Sequence, residues 1–133
     1  MRLLMLSLAL GVAACAQTPR EAADRAADAD RTRAALDREL AGLVPGAPQG
    51  CLGVFDRRQI KAFGDTIVYR GAGSTRFVTQ TTGCRGVGDE NILVTRTPTG
   101  QLCRGDIATT VDRTSGFTSG GCSFGDFVPY RRP

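Results

Sequence analysis

Histidine and tryptophan are absent from the 133 residues, and lysine occurs once, at Lys61. Without an imidazole the chain has no Ser-His or Cys-His pair to make a nucleophile, and it lacks the commonest general base and the commonest metal ligand. Aromatic residues amount to 6%, with two Tyr, which supplies a sugar site built on stacked rings poorly and implies a thin core. No apolar run reaches the roughly 20 residues that a membrane-spanning helix needs.

What is present begins with one positive charge, Arg2, and an apolar run from Leu3 to Leu10 broken by Ser7. A short apolar region behind a positive start has the form of a secretory signal peptide. Val12-Ala13-Ala14-Cys15 resembles the bacterial lipobox: a branched apolar residue, two small ones, then the cysteine that is acylated and becomes the first residue of the mature chain. The resemblance implies removal of residues 1–14 and lipidation of Cys15, and Ala16 rather than Asp implies sorting to the outer membrane. The plainer alternative is cleavage nearby, for instance after Ala16, which releases a soluble protein.

Four further cysteines, Cys51, Cys84, Cys103 and Cys122, are an even number in an exported chain and read as two disulfides. Their spacing lacks the short ligand pairs of structural zinc, so neither metal nor cofactor is expected. Four cysteines permit three pairings. The favoured one is Cys51 with Cys84 and Cys103 with Cys122, because each closes a loop long enough for a strand pair and still local. Loop entropy credits each bridge with about 3–4 kcal/mol.

Thr18-Pro19-Arg20-Glu21 forms a capping box with proline at the first helical position. Alanine-rich, charge-alternating sequence then continues to Leu43, and residues 15–44 are expected to be a lipidated cysteine and a charged helical tether. Ala22, Ala26, Ala29, Leu36, Leu40 and Leu43 make its apolar line. A weak coiled coil is one reading of it; a solvated spacer docked by its leucine end is the favoured one. Two prolines and two glycines within residues 44–50 break the helix, and 45–50 is expected as a linker.

Residues 51–133 carry short apolar runs at 51–55, 66–70, 76–81, 91–97 and 106–111, separated by glycine-rich turns. The fold class expected is mainly β: a small disulfide-stapled antiparallel meander, barrel or sandwich, preceded by an N-terminal helix. Arg70-Gly-Ala-Gly-Ser-Thr75 and Pro98-Thr-Gly100 are the clearest hairpin turns. Phe124 and Phe127 are expected in the core, and Tyr130, Arg131 and Arg132 as a partner contact.

Charge divides unevenly. Residues 16–44 hold five Arg and six acids, whereas residues 45–133 hold eleven Lys or Arg and seven acids, a balance that favours anionic partners. Arg104-Gly105-Asp106 spells an adhesion tripeptide but reads more simply as a turn. Asp89-Glu90-Asn91 lacks the ligand order of a calcium loop.

The lipobox, the charged stalk, and the four-Cys β domain with Leu-Cys-Arg-Gly-Asp and a Phe-Val-Pro-Tyr ending resemble small alphaproteobacterial lipoproteins. That resemblance implies class and compartment and carries over no catalytic residue. Catalysis would fall to carboxylates among Asp65, Asp89, Glu90, Asp106 and Asp126, which no spacing brings into one cleft. The expectation is therefore a monomeric, non-catalytic envelope module. It would be bound to the membrane through Cys15, without nucleic acid, and its partner would be an envelope protein or an anionic polymer. The alternatives are an inhibitor of an envelope hydrolase, presenting the 83–91 or 114–121 loop, and a His-free carboxylate enzyme.

Overall fold

The computed structural model describes residues 18–84 and 86–133. The leader and Cys15 lie outside the described residues. Helix α1, Pro19–Glu39, starts as its capping box dictates: the Thr18 hydroxyl accepts the Glu21 amide, and the Glu21 carboxylate accepts the Thr18 amide at 2.9 Å. Residues 18–31 are exposed throughout. Only the last turns of α1 dock, through Ala35, Leu36 and the following Leu40.

Nine strands follow among the described residues: β1 Val44–Pro45, β2 Cys51–Leu52, β3 Gln59–Phe63, β4 Thr66–Arg70, β5 Arg76–Thr82, β6 Asn91–Thr95, β7 Leu102–Cys103, β8 Ile107–Asp112 and β9 Thr118–Arg131. A 3-10 turn, Val54–Asp56, separates β2 from β3. The main sheet is antiparallel in the order β3-β4-β5-β9-β8-β6, with β1 also on β9, and it curls into a half-barrel. β2 and β7 form a separate two-stranded ribbon. The protein is thus mainly β with one N-terminal helix and two disulfides.

β9 is the spine, because its two ends serve different neighbours. One edge pairs with β5; the other pairs with β8 early and with β1 late. Register slips at Thr79/Thr81 and at Thr110/Val111 place bulges on both flanks, and bulges raise local twist and bend a sheet. At the first of these, a Cβ on Gly125 would come within 2.9 Å of the Gln80 carbonyl oxygen, so the close approach there requires glycine.

The two faces carry separate cores. Inside the curl, Ile67, Tyr69, Phe77, Phe124 and Phe127 pack with Leu52 and Leu102 of the ribbon and with Cys84 and Cys122. Phe124 and Phe127 are core residues as expected, 3% and 0% exposed. On the outer face Phe63, Val68 and Val78 meet α1 and Tyr130. β4 sits between both cores, and four of its five residues are buried.

Several local expectations are corrected. The cysteines pair as Cys51–Cys103 and Cys84–Cys122, not Cys51 with Cys84 and Cys103 with Cys122. Loop locality is overridden because Cys51 and Cys103 face each other across the β2–β7 ladder, while Cys122 of β9 lies beside the Cys84 turn. The stretch 45–50, expected as a linker, runs along β9: the Gly46 amide donates to Pro129 and Gln49 bridges Phe127. Its prolines are tolerated because this is an edge.

Residues 118–121, expected within a loop, open β9, where Gly120 and Gly121 oppose Thr110 and Thr109. The turn at Pro98-Thr99-Gly100 forms, with the Gly100 amide on the Thr97 carbonyl, but it joins no hairpin, since β6 pairs with β8 and β7 with β2. The 70–75 turn does make the β4–β5 hairpin, with Gly73 at φ 61°.

Candidate functional site: a basic row at the helix end

Register places Gln59, Arg70, Arg76 and Tyr130 directly opposite one another across β3, β4, β5 and β9. Opposed residues in a ladder point to one face, and here it is the face on which α1 ends. Lys61 lies two residues from Gln59 on the same side. The row therefore gathers three cations where the carbonyl end of a helix dipole arrives.

Glu39, the last residue of α1, supplies the counter-charge. Its side chain is 6% exposed, and Arg70 donates to Oε1 from Nη2 at 2.7 Å and from Nε at 3.0 Å. Arg76 Nε donates to the same oxygen at 3.1 Å, and Lys61 Nζ to Oε2 at 3.1 Å. Burial pushes the Glu39 carboxyl up, but hydrogen bonds from Arg70, Lys61 and Arg76 outweigh it, so the carboxyl titrates below its usual range. Gln59 accepts from Arg70 Nη1 at 3.4 Å, and Lys61 also stands 5.3 Å over the Phe63 ring.

One carboxylate does not balance this group. Arg58 adjoins it, exposed and without an ion pair among the described residues. Asp56 lies near by, with its carboxylate against Gly71. Four cations thus meet two carboxylates. Two adjoining hollows of about 300 and 500 Å3 open here, lined by Arg58, Gln59, Lys61, Arg70 and Arg76. Guanidinium forks in such a hollow suit carboxylate or phosphate oxygens.

No family model, curated protein or solved structure matches the chain. Function therefore has to be argued from the site.

Of the residues expected at a partner contact, Tyr130 ends the basic row but is half-buried against the outer core, while Arg131 and Arg132 are exposed beyond it. The remaining basic residues of the row were not singled out by pattern. They come from three strands and acquire meaning only through register. A signal did exist in the sequence: Arg70 and Arg76 are the polar ends of the strand-like runs 66–70 and 76–81.

The carboxylates considered for catalysis are dispersed into local roles. Asp106 accepts the Cys103 amide at 2.8 Å, and Asp126 pairs with Arg104 at 3.1 Å. Asp89 and Glu90 occupy the turn before β6. Arg104-Gly105-Asp106 is a turn with Gly105 at φ 85°. Among the described residues no group of three or more Cys, Asp or Glu side chains is placed to hold a metal.

The 83–91 loop is anchored rather than projecting, with Cys84 and Val87 buried. At 112–117, by contrast, Asp112 Oδ1 accepts the Thr114 and Ser115 amides and the Ser115 hydroxyl, and the turn presents Phe117 at 77% exposure.

Proposed function

We propose that the chain is a non-catalytic binding module of a bacterial cell envelope, lipidated at Cys15, held on the periplasmic side of the outer membrane, and directed at an anionic partner. The observation that carries this reading is the cation surplus at the end of α1, where Arg58, Lys61, Arg70 and Arg76 outnumber Glu39 and Asp56 around two open hollows. Compartment is argued from the lipobox pattern, with which two disulfides accord. The exposed first half of α1 suits a spacer, roughly 1.5 Å per residue.

Crosslinking and affinity capture of the lipidated protein from its own envelope tests the reading. The triple variant R58A/R131A/R132A leaves the Glu39 cluster intact, so it should stay folded and lose most captured partner, as should wild type at about 0.5 M salt, where charge attraction is screened. Equal recovery from wild type and variant at both salt concentrations would sink the reading. Cys15→Ser should release the protein from membranes, provided that its precursor is still exported.

A second reading, inhibition of an envelope hydrolase, is favoured by one observation: Phe117 stands exposed on a turn ordered by Asp112. In that case Phe117→Ser abolishes capture and the arginine variant does not.

A further inference from the structure

The sheet does not close upon itself, and its edges leave a seam. β3 and β6 contribute opposite walls of a cleft of about 340 Å3 lined by Val54, Ile60, Leu93, Tyr69, Thr95 and Arg57. The size falls at the low end of small-molecule sites, roughly 300–1,000 Å3, which combine apolar walls with a few converging polar groups. Only Arg57 carries charge in this lining, and none of the residues belongs to the Glu39 cluster.

Arg57 crosses the seam. It leaves the 3-10 turn ahead of β3 and donates from Nη2 to the Gly100 carbonyl, beyond β6, at 3.1 Å. Its Nε is buried and has no hydrogen-bond partner, the one such side-chain atom among the described residues. Buried donors are rarely left unpaired without a reason. Tyr69 stands 4% exposed at the same cleft, and burial raises its phenol above the usual range while the Arg57 charge acts the other way. The phenol therefore remains protonated and can donate, as can the Thr95 hydroxyl.

One guanidinium matches one negative charge, its planar fork matches a carboxylate, and Val54, Ile60 and Leu93 match hydrocarbon. We propose that this seam cleft binds a small carboxylate carried on an apolar body, either a free acid or the C-terminal apolar residue of a peptide. The guanidinium turns slightly into the cleft on binding, and Nε gains the partner that it lacks. This inference is independent of the basic row and of the lipid anchor.

Amide NMR titration of the full disulfide-bonded chain tests it, with octanoate, octanol, acetate, inorganic phosphate, a short peptide ending in Leu and that peptide's C-terminal amide as probes. Saturable shifts centred on Ile60, Leu93 and Thr95 are expected with octanoate or the Leu-ending acid. Octanol, acetate, phosphate and the amide should bind about tenfold more weakly or not at all. Preference for octanoate identifies a free acid as the source, and preference for the peptide identifies a chain terminus.

R57M should weaken binding about tenfold. I60W, which leaves Arg57 in place and fills the cleft, should do the same, while R58A should change nothing. Saturation by no carboxylate, equal binding of octanol and octanoate, or unchanged affinity in I60W would overturn the proposal.

Discussion

Inside the curl, aromatic and aliphatic side chains pack with a disulfide among them, and Phe127, Leu52 and Ile67 are fully buried. On the outer face a smaller apolar patch meets the last turns of a helix, and the rest of the contact is ionic, with Glu39 receiving Lys61, Arg70 and Arg76. The difference teaches that the two faces answer to different variables. Burial inside is insensitive to pH and salt, whereas helix docking outside depends on one carboxylate remaining charged. It also places the surplus cations beside the weaker of the two contacts.

Core truncation should separate the faces most. Phe127→Ala should cost about 3–5 kcal/mol in chemical denaturation, and Val78→Ala, under the helix, about 1–2 kcal/mol. Equal costs would mean that the outer patch is as tightly packed as the inner one.

Next come the bridges. The loop-entropy model credits both, spanning 52 and 38 residues, with about 4 kcal/mol. C84A/C122A also opens a void in the inner core, where both cysteines are buried, whereas Cys51 and Cys103 are only half-buried. The first double variant should therefore be the less stable by about 1 kcal/mol or more, measured by thermal melting of both.

Glu39→Gln should cost about 1–3 kcal/mol at neutral pH, less than a fully buried ion pair because Arg70 and Lys61 reach water. The folded carboxyl titrates below its unfolded value, so the stability that it contributes is present above the unfolded value and is lost as pH falls through the folded one. Denaturation curves of wild type and E39Q should differ by a constant amount above about pH 5.5, begin to converge near pH 4.5 and meet only once pH has fallen through the lower, folded value. A gap that persists in acid would show that the carboxylate charge is not what holds the helix.

The smallest effect should come from Arg104→Ala, which removes an ion pair whose Arg and Asp126 side chains are 66% and 39% exposed. A change of about 0.5 kcal/mol or less is expected by the same denaturation assay.

Much of the local structure was legible from sequence. Thr18, Pro19 and Glu21 set the helix start, because a capping box is closed within four residues. Alternating Ile67 and Tyr69 around a Gly-rich turn marked the β4–β5 hairpin for the same reason. β3 escaped notice because it is an edge strand: Gln59, Ile60 and Lys61 are exposed, and Phe63 is its only buried residue. The opening of β9 escaped because Gly120 and Gly121, turn residues by composition, are held in a ladder opposite Thr110 and Thr109 of β8.

The candidate site was legible only as an excess of arginine in the second half of the chain, and the seam cleft was not legible at all. Gln59, Arg70, Arg76 and Tyr130 share a face through three ladders, and Arg57 meets Gly100 across 43 residues.

By itself the sequence determined what short-range chemistry decides: the class of the fold, the helix and its cap, the existence of disulfides, the buried Phe124 and Phe127, and the turn at Arg104-Gly105-Asp106. Tertiary structure alone decided which cysteines join, that the 45–50 stretch lies along β9, that Glu39 gathers three cations, and that the half-barrel stays open at the β3–β6 seam. Each of these depends on which strands become neighbours and in what register, and that is chosen by the packing of the whole chain rather than by any stretch of it.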